Sequence, residues 1–123
     1  MAETAKIAIV DDDQDIREAI TTLVETVGLR AEGFASAEEF LSSPQAQDAA
    51  CLLLDVRMPG MSGLELQRQL GVTHGRIPII FITAYADEHI RARALAAGAV
   101  AVLSKPCREE DLLRAIQTAL TQA

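Results

Sequence analysis

Two groups of acidic residues follow apolar segments in this sequence, and both are suited to metal or phosphoryl chemistry. Asp55 ends the apolar segment 51–54 and precedes the segment 56–60 (VRMPG), while residues 7–10 (IAIV) lead into the three acids at 11–13. Each apolar segment has the length of a buried strand, and open α/β sheets bind ligands outside the carboxyl ends of their strands. The pattern therefore predicts carboxylates at one sheet edge, where their oxygens would suit a divalent cation such as Mg²⁺.

Further polar residues end two later apolar segments. Thr83 ends the fourth predicted strand, and Lys105-Pro106 follows the fifth. Right-handed crossovers bring the ends of parallel strands to the same edge, so Thr83 and Lys105 are expected near Asp55. A metal ion, an ammonium and a hydroxyl around one carboxylate would neutralise the oxygens of a phosphoryl group in transfer. Asp55 is then predicted to be a nucleophile that forms an aspartyl phosphate.

The rest of the chain alternates strand and helix patterns, which favours an α/β fold with a parallel sheet and helices on both faces. Strands are predicted near residues 6–10, 30–34, 50–54, 78–82 and 100–103. Helices are predicted near residues 14–27, over a short segment that Ser36 caps, and near 63–70, 87–97 and 109–121. The sequence thus predicts a single doubly wound (βα)5 unit.

Length, charge and cysteine content exclude several classes of protein. A chain of 123 residues fits one domain. Its net charge of −7 argues against nucleic-acid binding by this domain itself. No apolar stretch approaches the roughly 18 residues of a membrane span, and the start lacks the pattern of a secretory signal. Cys51 and Cys107 form neither a disulfide framework nor a metal-ligand spacing.

In its motifs the sequence resembles the receiver domain of two-component response regulators. The resemblance covers essentially the whole chain and rests on the segments 11–12 (DD), 54–63 (LDVRMPGMSG), 82–84 (ITA), 98–99 (GA) and 105–106 (KP). It implies a flavodoxin-like five-stranded sheet with the strand order 2-1-3-4-5. Residues 56–66 are most similar to regulators of the LuxR/FixJ type, which carry a helix-turn-helix output domain.

The resemblance also implies roles for the acids and the lysine. Asp55 resembles the phosphoacceptor, and Asp12 resembles a direct ligand of Mg²⁺ (or Mn²⁺) with Asp11 acting nearby through water. The backbone carbonyl of Arg57 would supply another ligand. Lys105 resembles the lysine that pairs first with the carboxylate and then with the phosphate.

The residues expected to transmit the signal depart from the family at one position. Thr83 resembles the switch hydroxyl, and the small Ala84 would leave room for a phosphoryl donor. The family often has an aromatic residue where this chain has Val102, and Tyr85 is the residue that would take over part of its role. Lys105-Pro106 also resembles a family position where the peptide bond is cis, so the resemblance implies a cis bond here.

The function that the resemblance implies is a cytoplasmic signalling switch rather than a metabolic enzyme. A sensor histidine kinase would donate a phosphoryl group to Asp55, and the domain would catalyse its own phosphotransfer and slow dephosphorylation. The output would be a homodimer through the fourth helix, fifth strand and fifth helix, or an effector docked there, with no membrane involved. Residues 1–123 form either a stand-alone receiver or, as we favour, the N-terminal part of a transcription regulator that binds DNA through a further domain.

Three alternative functions remain open at this point. A small phosphatase with an aspartate nucleophile would need a second acid two residues on, where this chain has Arg57. A flavodoxin-like cofactor carrier would need a Gly-rich loop after the first strand, where this chain has three acids. A receiver that is never phosphorylated would be expected to lack an acid or the lysine.

Individual residues also have structural explanations. Asp13 would cap the first helix. Arg57 and Tyr85 would either gate the access of water to the site or simply be exposed.

Overall fold

A five-stranded parallel sheet forms the centre of the protein. The structure is a computed structural model and describes residues 5–44, 46–73, 77–84 and 86–121. Its strands are β1 (Lys6–Val10), β2 (Arg30–Phe34), β3 (Cys51–Leu54), β4 (Ile79–Thr83) and β5 (Ala101–Ser104). They lie in the order β2-β1-β3-β4-β5, and all four neighbouring pairs are parallel. The predicted fold class and strand order are confirmed.

Helices connect the strands. They are α1 (Gln14–Thr26), α2 (Ala37–Ser42), α3 (Gly63–Thr73), α4 (Glu88–Ala96) and α5 (Glu109–Leu120), with a short 3₁₀ turn at Ala46–Asp48. The sequence did not predict that turn. Helix α3 also continues three residues beyond its predicted end at residue 70. The buried pair Leu66 and Leu70 marks its inner face, whereas Gly71 in its last turn is exposed and gives no apolar signal.

Side-chain caps begin the helices directly after the loops that carry the acids. Asp13 accepts hydrogen bonds from the amides of Asp15 and Ile16, at 2.9 and 3.3 Å, so the predicted cap of α1 is confirmed. Ser62 and Glu65 form a reciprocal capping box at the start of α3, with distances of 2.9 and 3.2 Å. These caps fix where each loop ends, and so they limit the freedom of the residues between strand and helix.

The sheet is buried on both faces, and its residues alternate between two apolar clusters. Ile7, Ile9 and Leu53 pack towards α1 and α5. Leu52 and Leu54 pack on the opposite side with residues of α2, α3 and α4. Burial on both faces explains why the central strands are continuous apolar runs. Within the described ranges, no helix is long and apolar enough to cross a membrane.

Candidate functional site

The carboxyl ends of β1 and β3 place two buried carboxylates side by side. Val10 and Leu54, the last residues of these paired strands, are register partners, so the next residues, Asp11 and Asp55, are neighbours at the edge. The amide of Asp55 donates to the carbonyl of Val10 at 3.1 Å, which extends the ladder by one residue. Only 4% of Asp11 and 7% of Asp55 is exposed, whereas Asp12 is exposed.

Lys105 contacts the two acids from the end of β5, which lies two strands away from β3 in the sheet. It follows β5, and its amide donates to the carbonyl of Thr83 at 2.9 Å. Its ammonium reaches past β4 and donates to Oδ2 of Asp11 at 2.8 Å and to Oδ2 of Asp55 at 3.0 Å. The peptide bond between Lys105 and Pro106 is cis. Residues 94 and 50 positions apart in sequence therefore meet in one ion-pair cluster.

The charges at this edge stabilise one another against burial. Burial raises the pKa of Asp11, and the hydrogen bonds from Lys105 and from the amide of Asp13 only partly offset it. Burial acts to lower the pKa of Lys105, but its hydrogen bonds to Asp11 and Asp55 outweigh that effect and raise it. Lys105 is therefore a cation at neutral pH, held between two carboxylates.

The same edge has the oxygen ligands that a hard divalent cation prefers. One carboxylate oxygen each of Asp11, Asp12 and Asp55 lies within 4.8 Å of the other two. Mg²⁺ binds through carboxylates and retained waters, and three carboxylates against one ammonium leave an excess of negative charge. The donor set fits Mg²⁺. Both oxygens of Asp11 already accept hydrogen bonds from Lys105 and Asp13, an arrangement compatible with the predicted contact through water.

The loop after Asp55 is folded tightly against it. The amide of Arg57 donates to Oδ1 of Asp55 at 3.3 Å, while the Arg57 side chain is exposed. The amide of Gly63 donates to the carbonyl of Val56 at 2.9 Å, and a Cβ on Gly63 would overlap the carbonyl oxygen of Asp55. A glycine is therefore needed at position 63 because the backbone of Asp55 and Val56 lies against it.

Arg17 is a residue of this site that the sequence reasoning missed. It lies near the start of α1, and its Nη1 donates to the carbonyl oxygen of Asp11 at 2.6 Å. Its aliphatic part passes beside Gly33, where an added Cβ would lie 3.4 Å from Cδ of Arg17. A cation near a helix N-terminus is unfavourable against the helix dipole, and that unusual position was the available signal.

The residues predicted to transmit the signal lie on and beside β4 and β5. Thr83 is fully buried at the end of β4, and Ala84 after it is exposed. Val102 is buried in β5, with 3% of its surface exposed, and its carbonyl accepts a 2.8 Å hydrogen bond from Nη1 of Arg91 on α4. Tyr85 lies outside the described residues. The structure thus gathers Asp11, Asp12, Asp55 and Lys105 at one edge, while the roles of all these residues remain predictions.

Comparison with known families identifies the class of protein. A family model described as the response regulator receiver domain matches residues 7–117. The chain belongs to this family, the receiver domains of two-component response regulators.

Individual relatives and a solved structure agree with that assignment. The chain is 50% identical over 117 residues to the response regulator protein TmoT of Ectopseudomonas mendocina, covering 95% of this chain and 53% of the relative. It is 40% identical over 114 residues to the transcriptional regulatory protein TdiR of Thauera aromatica, covering 93% and 50%. The crystal structure of FixJ-N is similar with a TM-score of 0.87 and 33% identity, covering 99% and 98%. The chain spans about half the length of these two curated relatives.

Proposed function

We propose that this receiver accepts a phosphoryl group on Asp55 from the phosphohistidine of a sensor kinase, with Mg²⁺ or Mn²⁺ bound beside it. The observation that carries this proposal is the buried cluster in which the Lys105 ammonium contacts both Asp55 and Asp11. A purely structural acid at a strand end would need neither a partly buried cationic partner nor two neighbouring carboxylates. Family membership gives the same expectation independently.

The proposed transfer uses Asp55 as an in-line nucleophile. A carboxylate oxygen of Asp55 forms a bond to phosphorus while the phosphorus–nitrogen bond to the donor imidazole breaks. The bonding pair stays on the imidazole nitrogen, which takes a proton from water. Lys105 is placed to exchange its contact with the carboxylate for one with the phosphoryl oxygens. A bound divalent cation would supply further positive charge at those oxygens.

The cation in this proposal would be held by the carboxylates of Asp12 and Asp55 and by the Arg57 carbonyl, with Asp11 contacting it through water. Dephosphorylation would follow when water attacks phosphorus and the carboxylate of Asp55 leaves. These steps make the domain a switch that catalyses its own modification rather than a metabolic enzyme.

The proposed switch needs contacts that exist only when phosphate is present, because a modification shifts a two-state equilibrium only through differential interactions. Thr83 and Lys105 are the residues assigned to them. The surface of α4, β5 and α5 is the proposed site of homodimerisation or effector docking. Since relatives such as TdiR are about twice as long and bear the name of transcriptional regulators, we also propose that the switch controls an output domain of the LuxR/FixJ type, through which DNA would be bound.

Intact mass spectrometry after incubation with acetyl phosphate and Mg²⁺ tests the chemistry. One added phosphoryl group is expected, absent with a chelator and absent in Asp55→Asn. The matched control is Asp48→Asn, which neutralises an exposed aspartate at the opposite end of β3 and should be modified normally. If the wild-type protein gained no mass and also failed to bind beryllofluoride, the phosphorylation switch would be abandoned for a receiver that acts only by binding.

A further inference from the structure

The loop between β3 and α3, residues 55–62, is held near its α3 end by Glu38 of α2. Oε2 of Glu38 accepts a hydrogen bond from the amide of Met61 at 3.0 Å, across 23 positions of sequence. The neighbouring Gly60 lies so close that an added Cβ would be 2.7 Å from the same oxygen. Gly60 also has a φ of +80°, which a glycine adopts without strain. The loop backbone is thus shaped to receive this carboxylate.

Helix α2 is itself firmly seated, so the carboxylate comes from a fixed element. Phe40 is fully buried, and its ring packs edge-on against Phe34 with centroids 5.5 Å apart. Ser36 caps the helix by accepting from the amide of Glu39 at 3.1 Å. A side chain on a well-packed element positions its partner more precisely than one on a free loop.

The other anchors of the loop lie close to Asp55. The amide of Arg57 bonds to the Asp55 carboxylate, and Met58 is buried in the core. Beyond Met58, the exposed Pro59 and Gly60 lead to Met61, where Glu38 bonds. Glu38 therefore fixes the exposed half of the segment that carries the Arg57 carbonyl.

We propose that Glu38 is a positioning residue for the divalent cation site. By restraining the loop at Met61, it keeps the Arg57 carbonyl where that oxygen can act as a ligand. This inference rests on the proposed function, in which the Arg57 carbonyl binds the cation. Glu38 does not contact the reacting atoms. Groups that bond a metal ligand directly are worth about 10–100-fold in metal affinity, and Glu38 acts four residues further along. We therefore expect Glu38→Ala to weaken Mg²⁺ binding about 3- to 10-fold.

The chain offers a closely matched control. Glu39 lies in the same first turn of α2 and is also exposed, so Glu39→Ala removes the same charge and a similar interaction with the helix dipole. Glu38→Gln removes the charge but keeps an oxygen that accepts a hydrogen bond. Glu38→Gln and Glu39→Ala, compared with Glu38→Ala, separate the loss of the hydrogen bond from the loss of charge.

The experiment is an Mg²⁺ titration of the four proteins followed by amide NMR shifts, together with hydrogen exchange at the Met61 amide. Glu38→Ala should bind Mg²⁺ about 3- to 10-fold more weakly and exchange the Met61 amide faster. Glu38→Gln should behave close to wild type, and Glu39→Ala should match wild type in both measurements.

Equal Mg²⁺ affinity in Glu38→Ala and Glu39→Ala would overturn the inference, whether both matched wild type or both were weakened alike. A Glu38→Gln variant as weak as Glu38→Ala would overturn it too, since charge would then be the cause. A wild-type protein that bound no Mg²⁺ would instead overturn the proposed function, and the inference with it. The wild-type titration therefore distinguishes the two failures.

Discussion

The acidic edge of the sheet and the face formed by α4 and β5 are organised in opposite ways. At the edge, the ion pairs join side chain to side chain: the ammonium of Lys105 contacts the carboxylates of Asp11 and Asp55. On the α4–β5 face, where Val102 also lies in an apolar cluster with Ile90 and Ala94, a hydrogen bond joins a side chain to the backbone, from Arg91 to the carbonyl of Val102. A site for a metal ion or a phosphoryl group requires particular side chains. A carbonyl acceptor, in contrast, is present whatever residue occupies position 102.

This difference bears on Val102, which stands where the resemblance led us to expect an aromatic residue. The valine at 102 is buried and has no ring that could swing inward or outward. Its backbone carbonyl nevertheless remains linked to α4. We therefore expect the edge to tolerate little change in side-chain type, and the α4–β5 face to depend on a contact that the Val102 side chain does not make.

The largest expected effect comes from removing the Lys105 ammonium at the acidic edge. Lys105→Ala should slow phosphorylation by acetyl phosphate about 10²–10³-fold, the usual cost of losing one preorganised charge-stabilising group. It should also lower the free energy of unfolding by about 1–3 kcal/mol, because two buried carboxylates lose a hydrogen-bonding partner. Mg²⁺ should recover much of that stability. Phosphorylation rates, and urea unfolding with and without Mg²⁺, measure these effects.

Lys6→Ala is the control for Lys105→Ala. Lys6 pairs with the partly exposed Glu32 at 3.3 Å, and such a pair is worth about 0–1 kcal/mol. Its loss should leave the phosphorylation rate unchanged. If Lys105→Ala were phosphorylated as fast as Lys6→Ala, the proposed phosphorylation at the edge would not depend on the Lys105 side chain. The contrast with the α4–β5 face would then be wrong.

The second effect tests the backbone beneath the edge. Gly63→Ala would place a methyl group against the carbonyl oxygen of Asp55, and forced overpacking costs about 1–3 kcal/mol. Gly71→Ala is the control in the same helix, since an added Cβ there meets nothing within 4 Å. It should stabilise the protein by up to about 1 kcal/mol through helix propensity. Urea unfolding of both variants provides the measurement.

A Gly63→Ala protein as stable as Gly71→Ala would show that the loop relaxes easily, and the edge would then be less rigid than its contacts indicate. A loss of stability with a slower phosphorylation rate would sharpen the comparison. It would mean that the edge depends on a backbone contact as well as on its charged side chains.

The fold was largely predictable because its signals are local and repeated. The five apolar segments and the caps at Asp13 and Ser36 each marked a boundary that the structure has within a few residues. The meeting of acids and lysine followed from topology, since parallel strand ends share an edge. The last turn of α3 lacked such a signal because Gly71, which is exposed there, has no apolar side chain.

The contacts that hold the site from outside were not predictable in the same way. Arg17 donates to a backbone carbonyl, Glu38 accepts from a backbone amide, and Arg91 donates to another carbonyl. A hydrogen bond to the backbone does not depend on the type of the residue whose amide or carbonyl takes part, so the sequence does not reveal it. For Glu38 and Arg91, only the three-dimensional proximity of α2 and α4 to their partners reveals the contact, whereas for Arg17 the sequence offers the one signal of a cation near a helix N-terminus.

The smallest expected effect tests the α4–β5 face directly. Arg91→Ala removes one hydrogen bond and should lower the free energy of unfolding by about 1 kcal/mol, with faster amide exchange along α4. Arg93→Ala, in the same helix and exposed, should change neither quantity. Because the substitution lies outside the acidic edge, the phosphorylation rate of Arg91→Ala should stay within about twofold of wild type.

The decisive quantity for Arg91→Ala is the response of the face once Asp55 is modified. If Arg91 couples α4 to β5 through the backbone, beryllofluoride should change amide exchange in α4 less in Arg91→Ala than in Arg93→Ala. An equal response in the two variants would show that the hydrogen bond from Arg91 to Val102 does not carry the coupling. A slower phosphorylation rate in Arg91→Ala alone would show that the two regions are not separable, because loss of a link on the α4–β5 face would then disturb the chemistry at the edge.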